Sequence, residues 1–309
     1  MFVFWCLLFG ASAQAASYLT DITEIGVGAR PLGMARAFNS IADDGSSIFT
    51  NPAGLANIET YSIVSMSGNL MNEVPYIMLG GCRNTPWGVF GAGYVGASVG
   101  GIREAILAGS TPEVTGNEAS YGNNTFILSY ANEARRVKYV NTIDFLTDNN
   151  AKFGANLKII DHGFGGAPSF EGTGATGFDL DIGTLFPVSP FMTTSITLRN
   201  IIPGNNVKGD ELPMVTTAGA AYRLEDRNLA TAAEVDFNSR GLSYRLGAEW
   251  EPLPVLSLRG GVSQKPDVFS YAVGVGTRYR GFTFDYAYHT YAELAELNTH
   301  FFSLGYTGY

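Results

Sequence analysis

The amino-acid sequence predicts an all-β fold, a transmembrane antiparallel β-barrel of about 14 strands with a short N-terminal plug segment. First, apolar and polar residues alternate from Tyr61 onward, and turns interrupt the alternation roughly every 8–12 residues. Second, charged residues make up 15% of the chain, whereas a soluble domain has about 25%. Third, the chain has 38 glycines and 13% aromatic residues, a composition typical of many short strands joined by tight turns.

Residues 1–15 are predicted to be a signal peptide that exports the chain. The apolar run over residues 1–16 ends in small residues, and Ala13-Gln14-Ala15 matches the A-x-A cleavage pattern, although no Lys or Arg precedes Arg30. Removal of Cys6 with this peptide leaves Cys82 alone, so no intramolecular disulfide is expected. Beyond residue 16 there is no run of about 18 apolar residues, so no transmembrane helix is predicted.

Residues 16–60 are predicted to form the plug segment. Met34–Ile41 is expected to make about two helical turns, because its apolar residues recur at helical spacing. Met34, Phe38, Ile48 and Phe49 either pack against the barrel wall, the more common fate, or line an apolar pocket. Asn51-Pro52 ends the segment, because the residue before proline avoids the α conformation, and it also fits a hinge that fixes the plug. The plug or hatch motif is assigned to Gly33, Met34, Phe38, Asp43, Asp44, Asn51 and Pro52.

Residues 61–309 are predicted to form the barrel. The alternation is clearest late in the chain, where Phe282, Phe284 and Tyr286 point one way and Thr283 and Asp285 the other. Fourteen strands result, an even number, as in single-chain bacterial barrels. The predicted strands are 61–69, 74–83, 87–97, 122–132, 151–162, 175–186, 191–201, 214–224, 229–238, 242–251, 254–263, 269–280, 281–290 and 299–309.

Alternation alone also fits a soluble sandwich, but three features favour a membrane barrel. Aromatic residues recur near strand ends, as in the girdles of membrane barrels. The chain is predicted to be exported, yet it has no disulfide framework. The connections also alternate in length. Short turns are expected at 84–86, 187–190, 225–228, 252–253 and 280–281, and longer loops at 98–121, 163–174, 202–213 and 291–298.

The alternating lengths predict an orientation, because such barrels have short periplasmic turns and longer outer loops. The N terminus then lies on the periplasmic side. The segment 133–150 breaks the pattern and is either a periplasmic helix or a strand extension.

Charged residues on the predicted inward face are candidate lumen-lining residues. Asp179 and Asp181 either line a polar path or bind a cation through oxygen ligands, or, as is more common, are solvated lumen carboxylates paired with arginines. A network of both signs is more often structural than catalytic, and a plug needs polar contacts. The candidates are Asp179, Asp181, Glu234, Asp236, Arg245, Glu249, Arg278, Arg280 and Asp285. No metal site and no cofactor are predicted.

No catalytic site is predicted, so the chain is not expected to be an enzyme. Gly96-Ala97-Ser98-Val99-Gly100 matches G-x-S-x-G, but that motif needs a strand-to-helix turn in an α/β sheet. Here it ends a strand of an all-β chain. The net charge of −9 argues against a nucleic-acid partner, because binding phosphates needs clustered Lys and Arg.

Two stretches carry a family resemblance. The front one runs Gly28-Ala29-Arg30-Pro31-Leu32-Gly33-Met34-Ala35-Arg36-Ala37-Phe38, then Ile41-Ala42-Asp43-Asp44 and Asn51-Pro52-Ala53-Gly54-Leu55-Ala56. The back one comprises Asp285-Tyr286-Ala287-Tyr288 and Phe302-Ser303-Leu304-Gly305-Tyr306. Both stretches resemble the FadL/PorV outer-membrane β-barrel superfamily, most closely its PorV/PorQ branch.

The resemblance implies a barrel in the bacterial outer membrane, with outer-membrane lipid and the outer-membrane assembly machinery as partners. One branch of this superfamily takes up hydrophobic molecules through a lumen gated by the plug, and the PorV branch works in type IX protein secretion. The predicted function is a FadL/PorV-like barrel that passes small hydrophobic molecules across the outer membrane. The alternative is a PorV-like secretion or scaffold component that binds secretion-machinery proteins and transports nothing, and a third is a purely structural barrel.

Overall fold

The chain folds into a closed antiparallel barrel of fourteen strands, so the predicted all-β barrel and its strand number are confirmed, while the plug stays a prediction. A computed structural model describes residues 21–70, 73–108, 111–138, 140–168, 174–202, 212–266, 268–292 and 294–308. The predicted signal peptide lies outside the described residues. The strands are β1 (Tyr61–Leu70), β2 (Val74–Thr85), β3 (Gly88–Ala108), β4 (Thr111–Glu133), β5 (Lys152–Gly165), β6 (Ala175–Ser189), β7 (Met192–Arg199), β8 (Val215–Leu224), β9 (Leu229–Asn238), β10 (Gly241–Leu253), β11 (Leu256–Lys265), β12 (Val268–Tyr279), β13 (Phe282–Tyr291) and β14 (Leu294–Thr307).

Each strand pairs with its neighbours in the chain, and β1 closes the barrel against β14 from Ser62 opposite Thr307 to Gly68 opposite Phe301. Closure pairs the backbone groups that an open sheet leaves unpaired at its edges, which is what a sheet in lipid requires.

Alternation along each strand gives the barrel two chemically different faces. In β10 the side chains of Tyr244, Leu246 and Trp250 point outward and are exposed, whereas Arg245 and Glu249 point inward and are buried. Large exposed apolar side chains occur on most strands. Apolar residues outside and polar residues inside are the arrangement of a membrane barrel.

The two ends of the barrel differ. The turn end carries residue 60, the end of β14 and five short connections at residues 86–87, 190–191, 225–228, 254–255 and 280–281. The opposite end is called the loop end. The segment 134–151 lies at the turn end and contains two 3₁₀ turns, Ala134–Arg136 and Val140–Thr142, and the short helix α2 (Asp144–Asp148). Of the two alternatives for this segment, the structure therefore has the helical one.

Two predicted loops at the loop end are wrong. Instead of a loop at 98–121, β3 and β4 continue as a long hairpin that pairs to Ala108 opposite Thr111. Instead of a loop at 291–298, β14 begins at Leu294. In the β3–β4 hairpin each strand satisfies the other's backbone groups, so pairing persists although glycines interrupt the apolar alternation there.

Residues 21–60, called the N-terminal segment below, are irregular. The predicted helix at Met34–Ile41 is wrong. The helix α1 instead spans Ala29–Gly33, and Ala35 and Arg36 follow with φ of 50° and 67°. Such left-handed residues cannot continue a right-handed helix. Three 3₁₀ turns, Ile22–Ile25, Gly45–Ile48 and Pro52–Asn57, make up most of the remaining regular structure. None of the described helices is long and apolar enough to cross a membrane.

The N-terminal segment packs against the inward face of the barrel. Most of its residues are buried. A side chain built on Gly247 would lie 2.7 Å from the Met34 carbonyl oxygen, and one on Gly93 would lie 2.7 Å from the Phe49 ring. The segment therefore approaches the wall so closely that glycine is required at these wall positions.

Candidate functional site

The inner surface of the barrel has two walls of opposite character. The apolar wall consists of inward side chains from β1 to β4 and β14, namely Met66, Tyr76, Met78, Val95, Ile127 and Phe301, all buried. The charged wall consists of inward side chains from β5 to β13, namely Lys158, Asp179, Asp181, Glu234, Asp236, Arg245, Glu249, Arg259 and Asp285, also buried. The N-terminal segment contacts both walls, so its contacts define the candidate site.

Arg30 of the N-terminal segment is the centre of the largest ion-pair network. Its Nε and Nη2 each donate a hydrogen bond of 2.8 Å to the Glu249 carboxylate on β10. Its Nη1 donates to Asp43 at 2.5 Å and to Asp44 at 2.8 Å. The guanidinium also lies 5.0 Å from the centre of the Phe38 ring. A two-pronged guanidinium–carboxylate pair is among the strongest and most directional polar contacts in proteins.

Strand residues extend this network in both directions. Arg259 on β11 donates to Glu249 at 2.6 Å and to Asp285 on β13 at 2.6 Å. Arg223 at the end of β8 donates to Asp43 at 2.7 Å. Burial by itself raises the pKa of the Asp43 carboxyl, but the Arg30 and Arg223 guanidiniums outweigh burial and lower it. Asp43 is therefore an anion that joins the segment to the wall.

A second polar contact forms around Asn39. Its backbone N–H donates to Glu234 at 2.5 Å, and its side-chain amide donates to the same carboxylate at 2.9 Å. Arg245 donates to Glu234 at 2.9 Å and to both oxygens of Asp236 at 2.6 and 2.7 Å. Glu234 thus accepts from both the segment and the wall, which satisfies a carboxylate that is 2% exposed.

A third contact lies where the described chain begins. The Lys158 ammonium on β5 lies 3.0 Å from the Asp21 carboxylate and 2.8 Å from Asp181 on β6. Lys158 is fully buried, so both carboxylates are needed to offset the loss of its hydration. Burial raises the pKa of Asp21, but Lys158, hydrogen bonds from Thr23 and the charge of Arg199 together outweigh burial, and the pKa falls to about 2. Asp179 accepts hydrogen bonds from the Leu180 and Ile202 N–H groups.

Contacts with the apolar wall are of another kind. Ile48 and Phe49 pack with wall residues such as Met78 and Val95 in one buried cluster. The only side-chain hydroxyl among the wall residues defined above, that of Tyr76, donates to the Ile22 and Gly26 carbonyls at 3.2 and 3.0 Å. The wall therefore binds the segment mainly by burial of apolar surface.

The remaining residues of the predicted motif also meet the wall. Gly33 lies against Gly274, and the Pro52–Ala53 backbone lies against Gly154. The fully buried Asn51 donates to the carbonyls of Asn39 and Thr184 at 3.0 and 3.1 Å.

Two predicted lumen residues lie at the turn end of the barrel. Arg278 is exposed near the end of β12 and lines cavities at the turn end. Arg280 is an exposed turn residue with φ of 49°, and its guanidinium lies 5.2 Å from the Tyr279 ring centre. The turn that begins at Arg280 interrupts the alternation, so parity no longer indicates where the side chain points. For Arg280 the lumen prediction is wrong.

Sequence reasoning also missed three cations, Arg30, Lys158 and Arg259. Lys158 and Arg259 stand at inward positions of their strands, beside Asn156 and Gly261 in the alternation. Strand parity is therefore a signal that could have found both residues. No local signal distinguishes Arg30, whose partner Glu249 is 219 residues away.

Polar cavities flank the N-terminal segment. Two at the turn end, of about 250 and 260 Å³, share Arg30, Asp43 and Arg278. One of about 220 Å³ at the loop end is lined by Glu24, Arg36, Arg199, Asp236 and Lys265, among others. The described segment therefore lies between cavities lined in part by charged residues at both ends of the barrel, and the ion pairs of Arg30 border both cavities of the turn end.

Comparison with solved structures shows related barrels. The toluene transporter TodX of P. putida matches with a TM-score of 0.57 at 13% identity, over 90% of this chain and 98% of that chain. A Pseudomonas aeruginosa FadL homologue matches with a TM-score of 0.60 at 12% identity, over 95% of this chain and all of that chain (100%). A deltaS2 mutant of TodX, a monoaromatic hydrocarbon channel, matches with a TM-score of 0.54 at 11% identity, over 90% and 98%.

No family model matches the chain, and no curated protein sequence matches it. The structural likenesses, at such low identity, establish the fold alone. Membership of the FadL superfamily and of its PorV/PorQ branch stays a prediction. The chain thus has the same barrel fold as the toluene transporter TodX of P. putida and a Pseudomonas aeruginosa FadL homologue.

Proposed function

We propose that the protein is a FadL-like outer-membrane barrel that passes small hydrophobic molecules, with the N-terminal segment as a movable plug. In this proposal residues 1–15 are the signal peptide, 16–60 the plug and 61–309 the barrel, and the turn end faces the periplasm. The fold shared with a toluene transporter and a FadL homologue supports this proposal. Like those neighbours, the protein would act as a transporter rather than an enzyme.

The observation that carries the proposal is the apolar wall. The interior of a membrane barrel is ordinarily polar, yet β1 to β4 present Tyr76, Met78, Val95 and Ile127 inward. Contact between water and such a surface is unfavourable, whereas a hydrophobic solute is stabilised when it packs against it. Here Ile48 and Phe49 cover it, so displacing them would offer a solute an apolar strip along the barrel.

The two walls suggest how the plug would move. Ion pairs centred on Arg30 and hydrogen bonds to Glu234 hold the segment to the charged wall. Packing contacts with the apolar wall have no fixed geometry, and a hydrophobic solute can replace them. The segment would therefore detach from the apolar wall first while it remains bound to the charged wall.

Uptake across an intact outer membrane tests the proposal, because apolar solutes cross protein-free phospholipid vesicles unaided. A bacterial host that lacks its own fatty-acid barrel would express the full chain, and cells would be supplied with radiolabelled oleate or toluene. We expect uptake above that of host cells without the protein. Substitution of wall residues by polar ones, as in Val95→Asn, is expected to reduce uptake, while the outward Leu79→Asn, a residue 58% exposed, serves as the matched control.

One observation favours the scaffold alternative. Beyond Ala97 and Ser120 the β3–β4 hairpin pairs with no other strand of the described chain, so its edges offer backbone groups that another chain could pair with. Absence of uptake by the full chain and by a variant with residues 21–56 deleted, with both inserted in the membrane, would contradict transport. Capture of a secretion component through residues 98–119 would then support the scaffold.

A further inference from the structure

The outer surface of the barrel carries a groove at the turn end, across β1, β2 and β3. Its floor is formed by Gly81 and Ala92, which are direct cross-strand neighbours, and Ile63 stands beside Gly81 on β1. The groove is a shallow, open depression with a volume of about 670 Å³. The small floor residues leave a depression in a surface that otherwise carries large apolar side chains.

A single cation ends this groove. Arg83 follows Gly81 by two residues on β2, so it shares the outward face and lies nearer the turn end. Its cross-strand neighbours are Tyr61 on β1 and Phe90 on β3. The ring of Tyr61 lies 5.9 Å from that of Tyr306, and the ring of Phe90 lies 5.1 Å from that of Tyr130. Arg83 thus stands within a belt of aromatic residues, the position of the membrane–water interface in such barrels.

Arg83 is exposed and, within the described part of the chain, its guanidinium takes part in no hydrogen bond or ion pair. A charge on the lipid-facing surface of a barrel is tolerated near the interface and not at the membrane centre. The counter-charge available at that level is a lipid phosphate, and a guanidinium matches its oxygens in a two-pronged geometry.

We propose that this groove binds one phospholipid, with an acyl chain over Gly81 and Ala92 and the phosphate accepting hydrogen bonds from Arg83. The proposal rests on the membrane location and on the turn end facing the periplasm, where the leaflet consists of phospholipid. An anionic headgroup such as phosphatidylglycerol fits best, because the site supplies an unpaired positive charge.

A second outward groove shows why charge matters. It lies across β8 to β11, encloses about 570 Å³ and has a floor of small residues that includes Ala220, Ala233 and Gly260. No residue that lines it is charged. It offers room for hydrocarbon but nothing that recognises a headgroup, and so it is the natural internal control.

The test is native mass spectrometry of the full chain, purified in detergent and titrated with dioleoylphosphatidylglycerol or with dioleoylglycerol, which lacks the phosphate. We expect the protein to retain one phosphatidylglycerol and to bind it about tenfold more tightly than dioleoylglycerol, the difference that one charge-assisted contact supplies. Arg83→Gln is expected to remove that preference, and Arg83→Lys to keep most of it.

Groove-filling variants test the acyl-chain half of the site. A side chain on Gly81 would have its nearest neighbours at 3.8 Å, so Gly81→Leu fits and fills the floor. It is expected to weaken lipid retention about tenfold, whereas Gly260→Leu, which fills the uncharged groove, leaves it unchanged. Arg280→Gln, at another exposed arginine of the turn end, is also expected to have no effect.

Equal retention by the unaltered protein and Arg83→Gln would overturn the proposal, as would equal losses for Gly81→Leu and Gly260→Leu. Heat-modified migration in gels verifies that each variant folds. Solute uptake does not enter this measurement, so failure of the transport proposal and failure of the lipid site are distinguishable.

Discussion

The charged wall binds the segment by directional polar contacts as well as by packing on its alanines, whereas the apolar wall binds it mainly by packing. On the charged wall, Arg30, Asn39 and Asp21 each meet specific carboxylate or ammonium groups at 2.5–3.0 Å, so the segment has one position. On the apolar wall, Ile48 and Phe49 are held by burial, which depends on area and hardly on direction. The charged wall therefore fixes where the N-terminal segment lies, and the apolar wall is the side from which, under the proposed function, the segment would detach.

The largest expected effect removes the centre of the charged-wall contacts. Arg30→Gln leaves Glu249, Asp43 and Asp44 without their shared cation, and breaking a buried pair on one side costs about 3–5 kcal/mol. The free energy of unfolding, measured by urea titration in phospholipid bilayers with tryptophan fluorescence, is expected to fall by that amount. Arg278 lines the same cavities but is exposed, so Arg278→Gln should change the free energy of unfolding little. Equal losses for the two variants would contradict the central role of Arg30.

The corresponding change on the apolar wall is Phe49→Ala. The ring is 4% exposed, and truncation of a buried phenylalanine costs about 3 kcal/mol. The same urea titration measures it, and Phe49→Leu, which keeps apolar bulk, should lose less. If the asymmetry is correct, Phe49→Ala also raises solute uptake, whereas a fall in uptake would argue against release from this wall.

Two adjacent glycines test how closely the segment is seated. A side chain on Gly261 would lie 2.5 Å from the Met34 carbonyl oxygen, whereas one on Gly260 would meet no atom within 4 Å. Gly261→Val is therefore expected to cost about 1–3 kcal/mol by overpacking and to push the segment off the wall. Thermolysin cleavage within residues 21–60 should accelerate for Gly261→Val and stay unchanged for Gly260→Val, and similar rates would show that the contact is not tight.

The smallest expected effect is the loss of the Asp21–Lys158 ion pair when Asp21 is protonated at low pH. Its folded pKa of about 2 lies below the usual aspartate value of 3.8. This stabilisation is therefore fully present above pH 3.8 and is lost as the pH falls from 3.8 toward 2. It amounts to about 2 kcal/mol. The difference in unfolding free energy between the unaltered chain and Asp21→Asn should shrink over this window, and a constant difference would contradict the role of the Lys158 pair.

Much of the fold was predictable because strand patterning is local. Phe284 and Asp285 are neighbours in the chain, and the period of two alone assigns them to opposite faces. The same rule assigned Glu234, Arg245 and Glu249 to the inward side. It did not place Arg280, because the turn there interrupts the period.

The N-terminal segment was harder to predict. Met34, Phe38 and Ile41 do lie in one buried cluster with alanines of β8 and β9, as their helical spacing suggested. They reach it without a helix, because Ala35 and Arg36 take left-handed conformations. Spacing therefore identified which residues share an environment, but it did not identify the backbone path.

The sequence by itself determined the number of strands, the side of the wall on which most strand residues lie, and the identity of the segment that precedes the barrel. All three follow from spacing between near neighbours. Only the tertiary structure decided which cation meets which carboxylate and that one wall is apolar. Barrel closure brings Arg30 to Glu249 across 219 residues, and no local pattern carries information about a contact over such a distance.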